Sequence, residues 1–165
     1  MGTHGLLFSA LIGAVASARS MTPMAALAAA RVLGARTPGR LVLLDRPLIK
    51  FGALAMGFGE LIGDKMKSAP DRTVLLGLLA RVMSAGIAGA ALAPRGREQA
   101  GAMAAVATAV PLAYLTLAGR ERAMESMGQT RSGLIEDALV IAAGVTVVVL
   151  ALRAKNGAAR FRTRR

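Results

Sequence analysis

Apolar residues fall into five long stretches separated by short polar connections. The first runs from Gly5 to about Leu33 and is interrupted at Arg19-Ser20-Met21-Thr22-Pro23. The second spans Pro47 to about Met66 and the third Thr73 to Ala93. The fourth covers Gly101 to Ala118, with Pro111 inside it, and the fifth Gly133 to Leu152. Each is near the ~20 residues a helix needs to cross the hydrocarbon of a bilayer, and the first exceeds it. Turn and charge signals fill the separators: Thr37-Pro38-Gly39-Arg40, Ala69-Pro70-Asp71-Arg72, Pro94-Arg95-Gly96-Arg97, and Gly119 through Ser132. The pattern predicts an all-α protein, a polytopic transmembrane helix bundle of about five spans whose first helix is broken near Arg19–Pro23. Residues 1–152 form its single transmembrane domain, and 153–165 a basic tail.

Composition strengthens that expectation. Of 165 residues, 55% are hydrophobic and 18% charged, and the mean hydropathy is +0.54. A soluble domain carries about a quarter charged residues. Large rings are scarce (four Phe, one Tyr, no Trp) against 19 Gly, so the interior is predicted to rely on close helix packing. With no Cys, disulfide scaffolds and thiolate metal sites are excluded. No cofactor or metal site is expected.

The net charge of +12 raises the question of nucleic acid. A nucleic-acid binder gathers its basic residues on one face, often with aromatics for stacking. Here they flank apolar runs and fill the tail Arg153, Lys155, Arg160, Arg162, Arg164, Arg165, which is what membrane insertion selects. No nucleic acid is expected; the tail is expected at anionic lipid. With five crossings, Arg36, Arg40, Arg46, Arg95, Arg97 and the tail share one side, eleven basic residues. Lys65, Lys67, Arg72, Arg120, Arg122 and Arg131, six in all, share the other. The positive-inside rule then places the N-terminus outside and the C-terminus inside a bacterial cytoplasmic membrane. If Gly5–Ala18 and Thr22–Leu33 form a re-entrant hairpin instead, the N-terminus moves inside and the rest stays put. Ala16-Ser17-Ala18 resembles a signal cleavage site, but no Lys or Arg precedes Arg19, so a retained helix is predicted.

Ionisable residues within apolar spans are costly and mark polar interiors. On the second span, Lys50, Ala53, Gly57, Glu60, Asp64 and Lys67 share one helical face; on the third, Gly77, Arg81, Ser84 and Ala88 do. Gly59-x-x-x-Gly63 and Ala85-x-x-x-Gly89 predict close helix approach. At ~1.5 Å per residue, Arg81 lies ~12 Å inside Thr73, Glu60 ~9 Å inside Met66, and Arg19 near the midplane. Arg19, Arg81, Glu60, Asp64, Glu136 and Asp137 are therefore predicted to meet in an interhelical polar cluster. Ser20 or Thr22 is predicted to cap a half-helix starting at Pro23, whose open N–H groups would hold an anionic group beside Arg19. Plainer roles exist for each. Arg19 can pair with Glu60 or Glu136 to hold a kink, and Glu60 and Asp64 can sit at the interface beside Lys65 and Lys67. Glu136 and Asp137 can complement the dipole of a first helical turn.

Ala18-Arg19-Ser20-Met21-Thr22-Pro23, Gly59-Glu60-Leu61-Ile62-Gly63-Asp64-Lys65, Pro70-Asp71-Arg72 and Ile135-Glu136-Asp137-Ala138 together form one pattern. It resembles that of small bacterial membrane proteins grouped as domain-of-unknown-function family 4126, over nearly the whole chain except the tail. The resemblance implies a bacterial multi-pass protein and brings no catalytic residues. No phosphate loop or nucleophile–base arrangement is present, so the chain is not expected to be an enzyme. Transport or permeation of a small solute or ion is the leading expectation. Arg19, Ser20, Thr22, Glu60, Asp64, Arg81, Glu136 and Asp137 are its site candidates. The alternative is a non-catalytic accessory subunit, packed against copies of itself or other membrane subunits.

Overall fold

The structure is a computed structural model describing residues 3–63 and 75–162. Asp64, Lys65, Lys67 and the Pro70-Asp71-Arg72 turn lie outside the described residues. The described chain is all-α: α1 Thr3–Ala18, α2 Thr22–Val32, α3 Pro47–Gly63, α4 Leu75–Leu92, α5 Glu98–Met127 and α6 Gln129–Arg162. A 3-10 turn at Val42–Asp45 precedes α3.

The first apolar segment is two helices, and they run in opposite directions. Continuing α1 through Pro23 would cost the hydrogen bond to the Arg19 carbonyl and push the ring into it. The chain leaves the helix at Arg19–Met21 and turns back. Contacts with other helices fix both directions. Gly13 of α1 lies against Ala105 of α5, and Thr116 further along α5 donates to the Ser17 carbonyl at 3.3 Å, so α1 and α5 are parallel. On α4, Gly89 accepts from Ser9 at 2.8 Å and Arg81 reaches Ser17, so α4 is antiparallel to α1. Gly144 of α6 faces Val15 on one side and Thr22 and Ala26 on the other, which sets α1 and α2 beside the same stretch of α6. After α2, the Gly39 amide donates to the Ala91 carbonyl at 2.9 Å, back at the C-terminal end of α4. The five-span reading, with α2 continuing α1, is thereby corrected to a hairpin. The first turn of α1 and the last turns of α6 lie at the same end of the bundle. That basic end carries Arg36, Arg40, Arg95 and Arg97; the hairpin tip lies toward the other.

Small residues let α1, α4 and α5 approach closely. A Cβ on Gly13 would come within 2.2 Å of the Ala105 carbonyl oxygen, and one on Gly89 within 2.4 Å of the Gly101 carbonyl oxygen. Ala85, Ala88, Ala91, Ala105 and Ala109 are fully buried between them. The Ala85/Gly89 expectation matches this seam. Gly59 faces open space, and it is Gly57 that touches Ala25 of α2. Lys50, Ala53, Gly57 and Glu60 do share the face of α3 turned to α2, with Ala53 and Gly57 buried.

Large apolar side chains point outward: Leu7, Leu48, Phe58, Leu76, Met103 and Leu139 are all exposed. The interior is rich in Ala and Gly and holds Ile12, Leu27, Leu44, Leu92 and a buried arginine, while many Leu, Phe and Met side chains remain exposed. Among the described residues, two helices, Glu98–Ser126 and Arg131–Gly157, are long and apolar enough to cross a membrane. Leu6–Ala18 and Leu76–Leu92 are shorter apolar helices.

Two expected connections differ in the structure. Helix α5 passes through Pro111 and continues to Met127, so Gly128, at φ 80°, is the whole link to α6. The basic tail is a continuation of α6 as far as Arg162. Arg120, within the stretch that the sequence reads as a connection, pairs with Glu136 of α6 at 3.2 Å.

Candidate functional site

In a continuous helix the Met21 amide would donate to the Ser17 carbonyl. The break at Arg19–Met21 frees both groups inside the protein, where each needs a partner. Charged side chains from other helices supply them, with the sign each helix end favours. The Ser17 carbonyl, at the negative end of α1, accepts from Arg81 Nε at 3.1 Å and from Thr116 Oγ1 at 3.3 Å. The positive end of α2 receives the Glu60 carboxylate. Its Oε1 accepts from the Ser20 amide at 2.8 Å and the Ser20 hydroxyl at 2.7 Å, and its Oε2 from the Met21 amide at 2.9 Å.

This corrects the capping expectation. The residue at the N-cap of α2 is Met21, with no side-chain cap bond of its own, and Pro23 lies within the first turn. Thr22 is buried with its methyl against Gly144. A carboxylate from α3 caps the helix across the bundle. The anionic group foreseen at this N-terminus is the protein's own.

Arg19, 1% exposed, is the largest fully buried side chain among the described residues. Its Nη2 is paired with Asp137 Oδ1 on α6, and its Nη1 donates to the Glu60 backbone carbonyl at 3.3 Å. The ion pair is with Asp137, whereas the kink reading named Glu60 or Glu136. Helix α6 begins at Gln129, so Asp137 lies about two turns inside it, beyond the reach of the helix dipole alone. Glu136, its neighbour, turns the other way and pairs with Arg120 of α5 at 3.2 Å.

The hairpin tip thus gathers Arg19, Ser20, Glu60, Arg81 and Asp137 in one network, with Glu136 on its flank. Asp64 is outside the described residues. Sequence reading missed Arg120 and Thr116. Arg120 counts as a loop charge until α5 is known to run on past it, and a helical Thr carries no sign of the carbonyl it will meet. Ser84, on the predicted α4 face, is buried, and its hydroxyl has no hydrogen-bond partner among the described residues.

Beside the network, between the α1 tip, α5 and α6, is a cavity of about 310 Å³. Arg120, Glu136, Thr116 and Ser132 supply its polar groups, and residues such as Ile135 and Leu139 its apolar walls. At the basic end Arg31 bridges Asp45 at 2.6 Å and the Thr37 hydroxyl at 2.8 Å, while Lys155 donates to the Arg36 carbonyl at 2.7 Å. These bonds tie the α2–α3 connection to α6. Comparison with protein-family models, curated proteins and solved structures finds no match.

Proposed function

We infer that the chain is a multi-pass protein of a bacterial cytoplasmic membrane that transports or permeates a small solute or ion. In this reading α3 to α6 cross the bilayer and the α1–α2 hairpin enters it from the basic, cytoplasmic end. Helix α2, at 11 residues, is about 16 Å long and too short to cross. The excess of basic residues at the end where α1 starts and α6 finishes supports a cytoplasmic location for both. Anionic lipid headgroups there are the natural partners of Arg153 and the basic residues after it.

The observation that carries the transport reading is the Glu60 carboxylate on the open N-terminus of α2. Half-helix N-termini within membranes hold anionic groups in many transporters. Here an internal carboxylate occupies the position beside a buried arginine. Protonation of Glu60 removes the charge that holds it on the Ser20 and Met21 amides. The vacated donors, with Arg19 alongside, then accept a solute anion, and the proton travels with it. Glu136 is the second proton-carrying candidate.

Reconstituted vesicles test this with formate, nitrate and phosphate as probes and an internal pH dye. Wild type is expected to exceed empty vesicles for at least one probe, and Arg19→Ala to return to the empty-vesicle rate. Wild-type flux equal to that of empty vesicles for all three probes and for protons would overturn the reading.

A second reading, an accessory subunit, is favoured by α3. Among the helices, α2 is its main support, and Leu48, Phe51, Phe58 and Ile62 are exposed on it. Native mass analysis after mild extraction separates the two. Stoichiometric co-purification with other membrane subunits supports the accessory role; a monomer or small homo-oligomer supports transport.

A further inference from the structure

The cavity flanking the hairpin tip combines largely apolar walls with one ion pair, Arg120–Glu136. We propose that it binds a zwitterionic aminophospholipid, with Arg120 on the phosphodiester and Glu136 on the primary ammonium. The proposal rests on the membrane reading above but not on transport.

Three features carry it. The first is a fixed pair of opposite charges at the cavity: Arg120 and Glu136 are 3.2 Å apart, their side chains only 12% and 18% exposed. Two largely desolvated charges presented side by side complement a ligand that carries both signs close together. A second feature is the character of the walls. Gly119, Ala123, Ile135 and Leu139 are apolar, with Ile135 and Leu139 themselves 49% and 66% exposed on the outer surface of α6. An acyl chain leaving the cavity toward the bilayer core therefore runs along Leu139, one turn from Ile135. Position is the third. Arg120 stands where the apolar stretch Gly101–Ala118 ends and Arg122 and Glu125 begin, at the depth where phospholipid headgroups lie.

The volume, about 310 Å³, is at the small end of ligand sites and suits a headgroup with the chains left outside. Thr116 and Ser132 add hydroxyls at the polar end. The chemistry also discriminates. An anionic phospholipid would bring its phosphate to Arg120 but offers no ammonium to the Glu136 carboxylate. A choline headgroup has no N–H to donate to Glu136. Free phosphate offers nothing to the apolar walls.

Lipid-depleted full-length protein in detergent, titrated with phosphatidylethanolamine, phosphatidylglycerol and phosphatidylcholine under native mass analysis, tests the proposal. Phosphatidylethanolamine is expected to bind about tenfold tighter than the other two, a difference of about 1.4 kcal/mol. Glu136→Gln is expected to abolish that preference while phospholipid still binds. Arg120→Gln is expected to weaken all three lipids, and Ala123→Trp, which fills the cavity, to remove binding. Arg122→Gln, an exposed change one residue from Glu121 on the same helix, controls for charge and folding and is expected to match wild type. Equal binding of the three lipids by wild type, a preference unchanged in Glu136→Gln, or inorganic phosphate displacing the lipid at equal concentration would each overturn the assignment. Membrane fractionation of the same preparations tests the membrane reading separately.

Discussion

The Glu60 carboxylate and the Met21 amide are 2.9 Å apart although 39 residues separate them in sequence. With the Ser20 amide on its other oxygen, Glu60 caps a helix to which it does not belong. An internal N-cap is a local device of Ser, Thr, Asp or Asn. Here the break occurs at a part-buried site between helices, and a charged group from α3 takes up the freed amides.

Glu60→Ala leaves two amides without their acceptor. Leaving buried donors unsatisfied costs about 1–3 kcal/mol each. Because both amides are only part-buried, Glu60→Ala is expected to lower stability by about 1–3 kcal/mol in all. Glu60→Gln keeps one acceptor oxygen and is expected to lose about half as much. Thermal unfolding in detergent, followed by circular dichroism, measures both; wild-type stability in both variants would show that the cap contributes nothing.

Arg19 and Asp137 form a buried pair, so breaking it from one side is expected to be worse than removing it. Arg19→Met alone strands a buried carboxylate and is expected to cost about 3–5 kcal/mol. Arg19→Met with Asp137→Leu is expected to recover at least ~1 kcal/mol of that, as apolar replacement of a buried pair is often near neutral. The full cycle of single and double variants gives the coupling directly.

The glycines divide by environment. Gly13→Ala places a methyl 2.2 Å from the Ala105 carbonyl oxygen and is expected to destabilise by about 1–3 kcal/mol as α1 and α5 separate. Gly59→Ala meets nothing within 4 Å and is expected to be neutral or to gain up to ~1 kcal/mol from helix propensity. Paired melting curves check the contrast.

The hairpin has a topological consequence. Reporters fused before Met1 and after Arg165 are expected on the same, cytoplasmic side. A single Cys introduced at Arg131 is expected to label from the opposite face. A periplasmic N-terminal reporter would restore the continuous first span.

By itself the sequence determined the helical class, the position of the break and the faces of α3 and α4 that turn inward. These follow from local periodicity and from Pro23, whose missing N–H acts within its own turn. It also brought out Arg19, Glu60, Arg81 and Asp137, because charge in an apolar run is conspicuous wherever its partner lies. Only the tertiary structure decided who pairs with whom. Asp137 and Glu136 are adjacent in sequence, yet successive positions on α6 point about 100° apart, sending one to Arg19 and the other to Arg120. The reversal at Arg19–Met21 was likewise tertiary. A broken helix that continues and one that turns back have the same local residues, and their difference lies in contacts such as Gly144 with both Val15 and Ala26. Those contacts join residues more than a hundred positions apart, a range at which no local pattern of polar and apolar residues carries information.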